Sequence, residues 1–175
     1  EAIAERIMDN VASPPFWRMA QRANGQDDQA PVDRWQVCRF SLPSHVMIEV
    51  GVARAGTGGR HAPDETRTSA VVVDFITPET ETSHWYFWGM ARQFKTDDAE
   101  LTATICEGQG AIFAEDLELL ERQQVNLQAW PDRRLMKLDI DAGGVYARRM
   151  IARAIAAEQN SGALGGHHDD VRPAA

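Results

Sequence analysis

The residue of greatest chemical interest is a carboxylate at an apolar position. The segment Glu107-Gly108-Gln109-Gly110-Ala111-Ile112-Phe113-Ala114-Glu115-Asp116-Leu117-Glu118-Leu119-Leu120 reads as a helix, with Ile105, Ile112, Phe113, Leu119 and Leu120 recurring at helical spacing to define one apolar face. Asp116 falls on that face, four residues after Ile112, three after Phe113 and four before Leu120, whereas Glu118, Glu121 and Arg122 fall on the polar side. A carboxylate aimed at a core is costly unless a cation, a metal or several donors meet it. Two readings are open: a metal ligand or other working group, or one half of a buried ion pair with Arg92 or Arg122.

Other chemistry-bearing residues pose the same kind of choice. Gly108 and Gly110 each cost a helix about 1 kcal/mol relative to Ala, so they either leave room beside the carboxylate or permit close helix–sheet contact. In Trp85-Tyr86-Phe87-Trp88, alternation puts Trp85 and Phe87 on one face and His84, Tyr86 and Trp88 on the other. One set should line a cavity, and the other should pack under a helix or a neighbouring subunit. Ile48 is mid-strand and is either a pocket residue or plain core. Glu107, nine positions before Asp116, is either at a cavity edge or a solvated helix residue. His84 reads as a structural or surface residue, and His45, His61, His167 and His168 lie in turns, loops or the tail. Gly56-Thr57-Gly58-Gly59 runs into Arg60-His61-Ala62-Pro63, a loop rather than a phosphate cradle.

These residues need a scaffold. Trp35 to Leu42, His45 to Ala53, Ser69 to Thr77 and Thr82 to Arg92 read as consecutive strands, with Val46, Ile48, Val50 and Val52 sharing one face and Val71, Val73 and Phe75 alternating. Short loops between them predict an antiparallel meander. Residues 1–12 are ambiguous, because Ile3 and Ile7 fit a helix. Pro14 and Pro15 end whatever precedes them, and Phe16 to Ala20 is a short helix or ordered loop. Asn24 to Gln29 is a polar exposed loop. A long helix is expected from about Asp97 to Gln128, capped by Asp97 or Asp98 and ended by Pro131. A short strand follows over Leu135 to Ile140 and a turn over Asp141 to Gly144. A second helix covers about Val145 to Glu158, with Ala147, Ile151 and Ile155 inward and Arg148, Arg149 and Arg153 outward. The Gly-, His- and Asp-rich tail, residues 160–175, is expected to be disordered. Strands first and helices after predict an α+β layer, a curved antiparallel sheet covered by a long helix and a C-terminal helix.

At 175 residues the chain suits one core without staples, and its net charge of −8 argues against a nucleic-acid partner. No apolar run approaches the about 20 residues of a membrane helix, and no signal peptide is evident. Cys38 and Cys106, far apart and without metal-ligand spacing, read as reduced, structural thiols of a cytoplasmic protein. The chain begins at Glu1 without Met, consistent with a fragment.

Taken in order, several motifs resemble the catalytic domain of Rieske non-heme iron oxygenases, particularly the oxygenase components that demethylate aromatic ethers such as vanillate. They are Pro14-Pro15-Phe16, Pro31 to Trp35, Phe75 to Glu81, Trp85 to Phe94, Glu107-Gly108-Gln109-Gly110 with Phe113 to Asp116, and Leu138 to Val145. The resemblance runs from roughly residue 7 to 158. It implies a helix-grip (START-like) fold, with residues 1–159 the oxygenase domain, and a strand before Ser13. It further implies that a Rieske [2Fe-2S] domain and a helix with two iron-binding histidines lie upstream, outside this sequence. Asp116 would then complete a two-histidine, one-carboxylate triad on mononuclear Fe(II), an arrangement that leaves coordination positions open. Substrate contacts are expected from Ile48, Trp85, Glu107 and Ile112; many relatives carry a histidine where Trp85 stands, and here it is one place earlier, at His84. The implied reaction converts an aryl methyl ether and dioxygen into a phenol and formaldehyde. Its electrons come from NADH through a separate flavin and iron–sulfur reductase, and the implied assembly is a homotrimer. Two other functions fit a helix-grip chain: a non-catalytic pocket for a hydrophobic small molecule, and an assembly subunit with no ligand.

Overall fold

The computed structural model describes residues 1–164. Five strands form one antiparallel sheet in the order of the sequence: β1 (Ala2–Val11), β2 (Val32–Ser41), β3 (His45–Arg54), β4 (Arg67–Pro78) and β5 (His84–Arg92). Three helices accompany it: α1 (Pro15–Ala23), α2 (Ala99–Ala129) and α3 (Ala142–Leu164). The architecture is the expected α+β helix-grip arrangement, and the strands form the expected meander.

Register fixes which side chains share a face. The row Ala2–Phe40–Val46–Asp74–Trp88 runs across all five strands, and Ala4–Cys38–Ile48–Val72–Met90 lies beside it. Both rows point to the helix side. There α1 and the start of α2 close one end, where Trp17, Ala20, Val32, Val52, Ala70 and Phe94 form a core with Leu101 and Met90 packed against it. The opposite face holds a second, smaller core of Trp35, Val37, Ala53 and Ala62, capped by turns at residues 59–66. Gly51 is required here, since a Cβ on it would fall 2.3 Å from the Trp35 ring and 2.7 Å from Ser69 Cβ.

Several expectations are sharpened or corrected. Residues 2–11 are a strand: Ile3 and Ile7 share strand parity as well as helical spacing, and both are exposed. In β4 Thr68, Ala70, Val72 and Asp74 are buried on one face and only Ser69 on the other, so the alternation of Val71, Val73 and Phe75 marks the less buried face. Asp98, rather than Asp97, caps α2 by accepting from Leu101 N–H at 2.8 Å. Leu135 to Leu138 is not a strand. It pairs with no neighbour and leads into a tight turn at Asp139–Asp141, where the Asp141 carboxylate accepts from Leu138 N–H at 2.9 Å.

The second helix begins at Ala142 rather than Val145, so of the expected turn at 141–144 only Asp141 stays in a turn and 142–144 become the first helical residues. Gly143 lets α3 approach β1, since a Cβ there would lie 3.0 Å from Ala4 Cβ. Ala147 and Met150 are half-buried, but Ile151 and Ile155 are exposed, so only the first half of α3 packs. The helix continues through residues 160–164, which were expected in the tail; the rest of that tail, including His167 and His168, lies outside the described residues.

Candidate functional site

Two elements meet at the open end of the helix side of the sheet. Tyr86 and Trp88, on β5, both hold the Phe113 ring of α2 edge-on, at centroid distances of 5.4 and 5.2 Å. This alternation turns Tyr86 and Trp88 toward α2 and sends Trp85 and Phe87 to the other face, where they are 58% and 55% exposed. Trp88 is also the cross-strand partner of Asp74, and the Tyr86 hydroxyl donates to Asp74 Oδ1 at 2.8 Å. Asp74 is only 5% exposed, and no ion pair among the described residues includes it.

Asp116 stands one turn beyond Phe113 on α2. Its charge is felt at Tyr86, whose phenol is held well above its ordinary range, first by burial, then by the hydrogen bond and charge of Asp74, and last by Asp116. Burial likewise pushes the Asp74 carboxyl up, against the opposing pull of the Tyr86 hydrogen bond. Cys38, in the adjacent row, has its thiol pushed up by burial and by the Asp74 charge. Ile48 is half-buried on the same face, next to Cys38 and Val72.

The expectation that Asp116 is enclosed in a core is not met: the residue is exposed. Periodicity defined the face correctly but could not say what covers it. Helix α2 packs on the sheet through Leu101, Ile105 and Phe113. Beyond Phe113, Leu117, Leu119 and Leu120 are 56%, 68% and 56% exposed. Neither ion-pair partner is used. Arg92 donates to the carbonyls of Phe94, Lys95 and Asp98 and to Thr102, and Arg122 pairs with Glu118 at 2.5 Å. Asp116 is thus held by a helix, near the aromatic cluster, with no cation assigned to it among the described residues.

Of the expected substrate contacts, Ile48 lies on the helix side of the sheet in the row beside that of Asp74, and Ile112 precedes Phe113 on α2 and is 47% exposed. Trp85 does not join them because strand alternation carries it to the far face. Glu107 does not either: about 100° per residue puts it on the side of α2 turned away from Ile105 and Phe113, and it is exposed. A Cβ on Gly110 would make only ordinary contact with the Trp88 ring, at 3.7 Å, and one on Gly108 would meet nothing within 4 Å. The helix is unbroken through both, so no local distortion accounts for them. The Asp74–Tyr86 pair was not anticipated. Its signal was a lone acid between apolar neighbours in a strand, as telling in β4 as Asp116 is in α2.

A hollow of about 490 Å³ lies on the opposite face, against Ile7, Asp33, Trp35 and Arg60, and contains none of the expected site residues.

Residues 2–157 match the family described as the vanillate O-demethylase oxygenase C-terminal domain. The chain belongs to that family. It is 64% identical over 157 residues to the vanillate O-demethylase oxygenase subunit of Pseudomonas sp. (strain ATCC 19151), covering 90% of this chain and 48% of the relative. Against the dicamba O-demethylase oxygenase component of Stenotrophomonas maltophilia, identity is 32% over 153 residues, covering 85% of this chain and 43% of the relative. Crystal structures of dicamba monooxygenase share the fold. The complex with 3,6-dichlorosalicylic acid aligns with a TM-score of 0.73 and 28% identity over 90% of this chain and 44% of that one. The form with non-heme iron and dicamba gives 0.69 and 28% over 92% and 48%. The chain spans about half the length of the curated relatives it matches.

A domain of the vanillate O-demethylase oxygenase family raises the question of iron. A facial triad needs three protein ligands. Among the described residues no group of three or more His, Cys, Asp or Glu side chains stands together as a metal site. These residues therefore do not form a complete iron site by themselves. Among them, too, no helix is long and apolar enough to cross a membrane.

Proposed function

We propose that this chain is the catalytic C-terminal part, residues 1–159, of the oxygenase component of a Rieske-type aromatic O-demethylase. The observation that carries this is the joint occurrence of 64% identity to a vanillate O-demethylase oxygenase subunit with a helix-borne carboxylate, Asp116, beside an aromatic-walled sheet face. The net reaction converts an aryl methyl ether, dioxygen, two electrons and two protons into a phenol, formaldehyde and water.

Asp116 is this chain's single contribution to a mononuclear iron whose histidine ligands lie outside the sequence. Iron, when bound, supplies dioxygen activation. The chain's own residues bind and orient the ring. Ile48 and Ile112 provide apolar walls, Phe113 and Trp88 an aromatic one, and the Tyr86 hydroxyl a polar point. A [2Fe-2S] domain upstream and a flavin and iron–sulfur reductase drawing on NADH deliver the electrons in a cytoplasmic homotrimer. The exposed apolar half of α2 fits a surface covered in the whole assembly.

The test is formaldehyde release from methoxybenzoates by the full-length protein with reductase and NADH. Formaldehyde in equimolar yield with the phenol is expected. None, with iron and cluster both present, refutes the proposal.

A further inference from the structure

Asp116 is carried by a helix, so its position is only as exact as that of α2. Besides the packing of Leu101 and Ile105, two kinds of contact hold this helix to the sheet. One is the Phe113 ring against Tyr86 and Trp88, three residues before Asp116. Ring contacts of this kind resist separation but are only weakly directional, so they tolerate sliding along the helix axis. The other is a set of hydrogen bonds from Arg92, and hydrogen bonds weaken steeply when their geometry shifts.

Arg92 is the last residue of β5, half-buried and cross-strand from Ala70 of the main core. Its Nε donates to the Phe94 carbonyl at 2.9 Å. Its Nη2 lies within 2.9 Å of three acceptors, the Lys95 and Asp98 carbonyls and the Thr102 hydroxyl. Asp98 is the N-cap of α2 and Thr102 is in its first turn; the Thr102 hydroxyl donates to the Asp98 carbonyl at 2.8 Å, which leaves its lone pairs for the guanidinium. One planar, rigid group thus fixes the end of β5, the connection over 93–98 and the start of α2 relative to one another.

Helix stability alone does not account for a cation here. The start of a helix carries positive partial charge, which a guanidinium opposes. No ion pair among the described residues includes Arg92, and Asp98 already caps the Leu101 N–H. What Arg92 adds is placement. At 1.5 Å per residue Asp116 lies about 21 Å beyond Thr102 along the axis, and a stiff helix passes an axial slip at one end to the other undiminished. A metal ligand has to stay within about 0.5 Å of its place.

We propose that Arg92 is a positioning residue that sets the axial place of Asp116 from the far end of α2, and through it the affinity of the site for iron. The inference rests on the reading of Asp116 as an iron ligand.

The test titrates Fe(II) into the full-length protein freed of mononuclear iron, with the [2Fe-2S] absorption as an internal count, and records the paramagnetic resonance of the bound iron as its nitric oxide adduct. Arg92→Gln should raise the iron Kd about tenfold, the low end of the range for residues that orient a ligand, and should alter the adduct signal. Arg92→Lys keeps the charge but not the fork, and should weaken iron in the same direction. Gly51→Ala, destabilising but on the opposite face of the sheet, should leave the Kd within about twofold of wild type and the signal unchanged. A wild-type Kd and signal in Arg92→Gln, or in Arg92→Lys where the Gln variant does not fold, overturns the inference. Equal weakening by Gly51→Ala also overturns it, because the loss then follows stability and not placement. Mononuclear iron retained in Asp116→Ala overturns the underlying reading as well; iron lost there but held normally by the Arg92 variants overturns this inference alone.

Discussion

Tyr86 and Phe113 meet edge to face at 5.4 Å, and this contact ties β5 to the turn of α2 that carries Asp116. Phe113 touches Trp88 as well, so one ring bridges two strand residues and one helix. Placing a carboxylate to within a fraction of an ångström requires such support, since a ligand is only as fixed as the residues behind it.

Phe113→Ala therefore removes the clamp. A buried Phe→Ala change costs about 3–5 kcal/mol; Phe113 is half-buried, so roughly half of that is expected, about 1.5–2.5 kcal/mol. Urea unfolding of the full-length protein measures it. An unchanged midpoint would mean that α2 is not held at this point.

Two glycines should respond with opposite signs. Gly51→Ala forces a methyl to 2.3 Å from the Trp35 ring, and overpacking of this kind costs about 1–3 kcal/mol. Gly108→Ala meets nothing within 4 Å inside a continuous helix and should stabilise by up to about 1 kcal/mol. Thermal melts of the two variants decide this; the same sign for both would contradict the packing described.

The two thiols should differ in reactivity. Cys38 is half-buried, with its thiolate disfavoured by burial and by the Asp74 charge, while Cys106 is exposed. A disulfide reagent at pH 7 should label Cys106 first. Cys38 should label slowly, with its rate rising only above the ordinary thiol range, and faster at a given pH in Asp74→Asn. Equal rates at both positions would refute the assigned environment.

Asp74 also sets a pH dependence of stability. Its folded-state value is raised above the ordinary 3.8, mainly by burial, so the folded protein holds the proton more tightly than the unfolded chain. The stability it contributes is complete below about pH 3.8 and is lost as pH rises through the folded-state value. Asp74→Asn should remove that decline without touching the rest of the profile. An unaltered urea midpoint-versus-pH curve in the variant would contradict this.

Much of this architecture could be read from the chain. Alternation located β2 to β5, Asp98 and Pro131 bracketed α2, and motif order gave the helix-grip fold. The failures share one physical origin: periodicity reports a face, not its cover. Val71, Val73 and Phe75 alternate as cleanly as Val72 and Asp74, so spacing could not choose the buried set in β4. Ile3 and Ile7 satisfy strand and helix periods together. Asp116 lay on the right side of α2, yet Leu119 and Leu120 beside it are exposed rather than core. Trp85 and Tyr86 are neighbours in sequence, and only the Phe113 contact shows which of them turns toward the helix.

The central claim is that Asp116 is the iron-binding carboxylate of an oxygenase. Replacing it with Ala in the full-length protein and assaying iron alongside the cluster spectrum tests this most directly. Loss of the mononuclear iron and of formaldehyde release, with the [2Fe-2S] absorption intact, is the predicted result. Mononuclear iron retained at wild-type stoichiometry would contradict it.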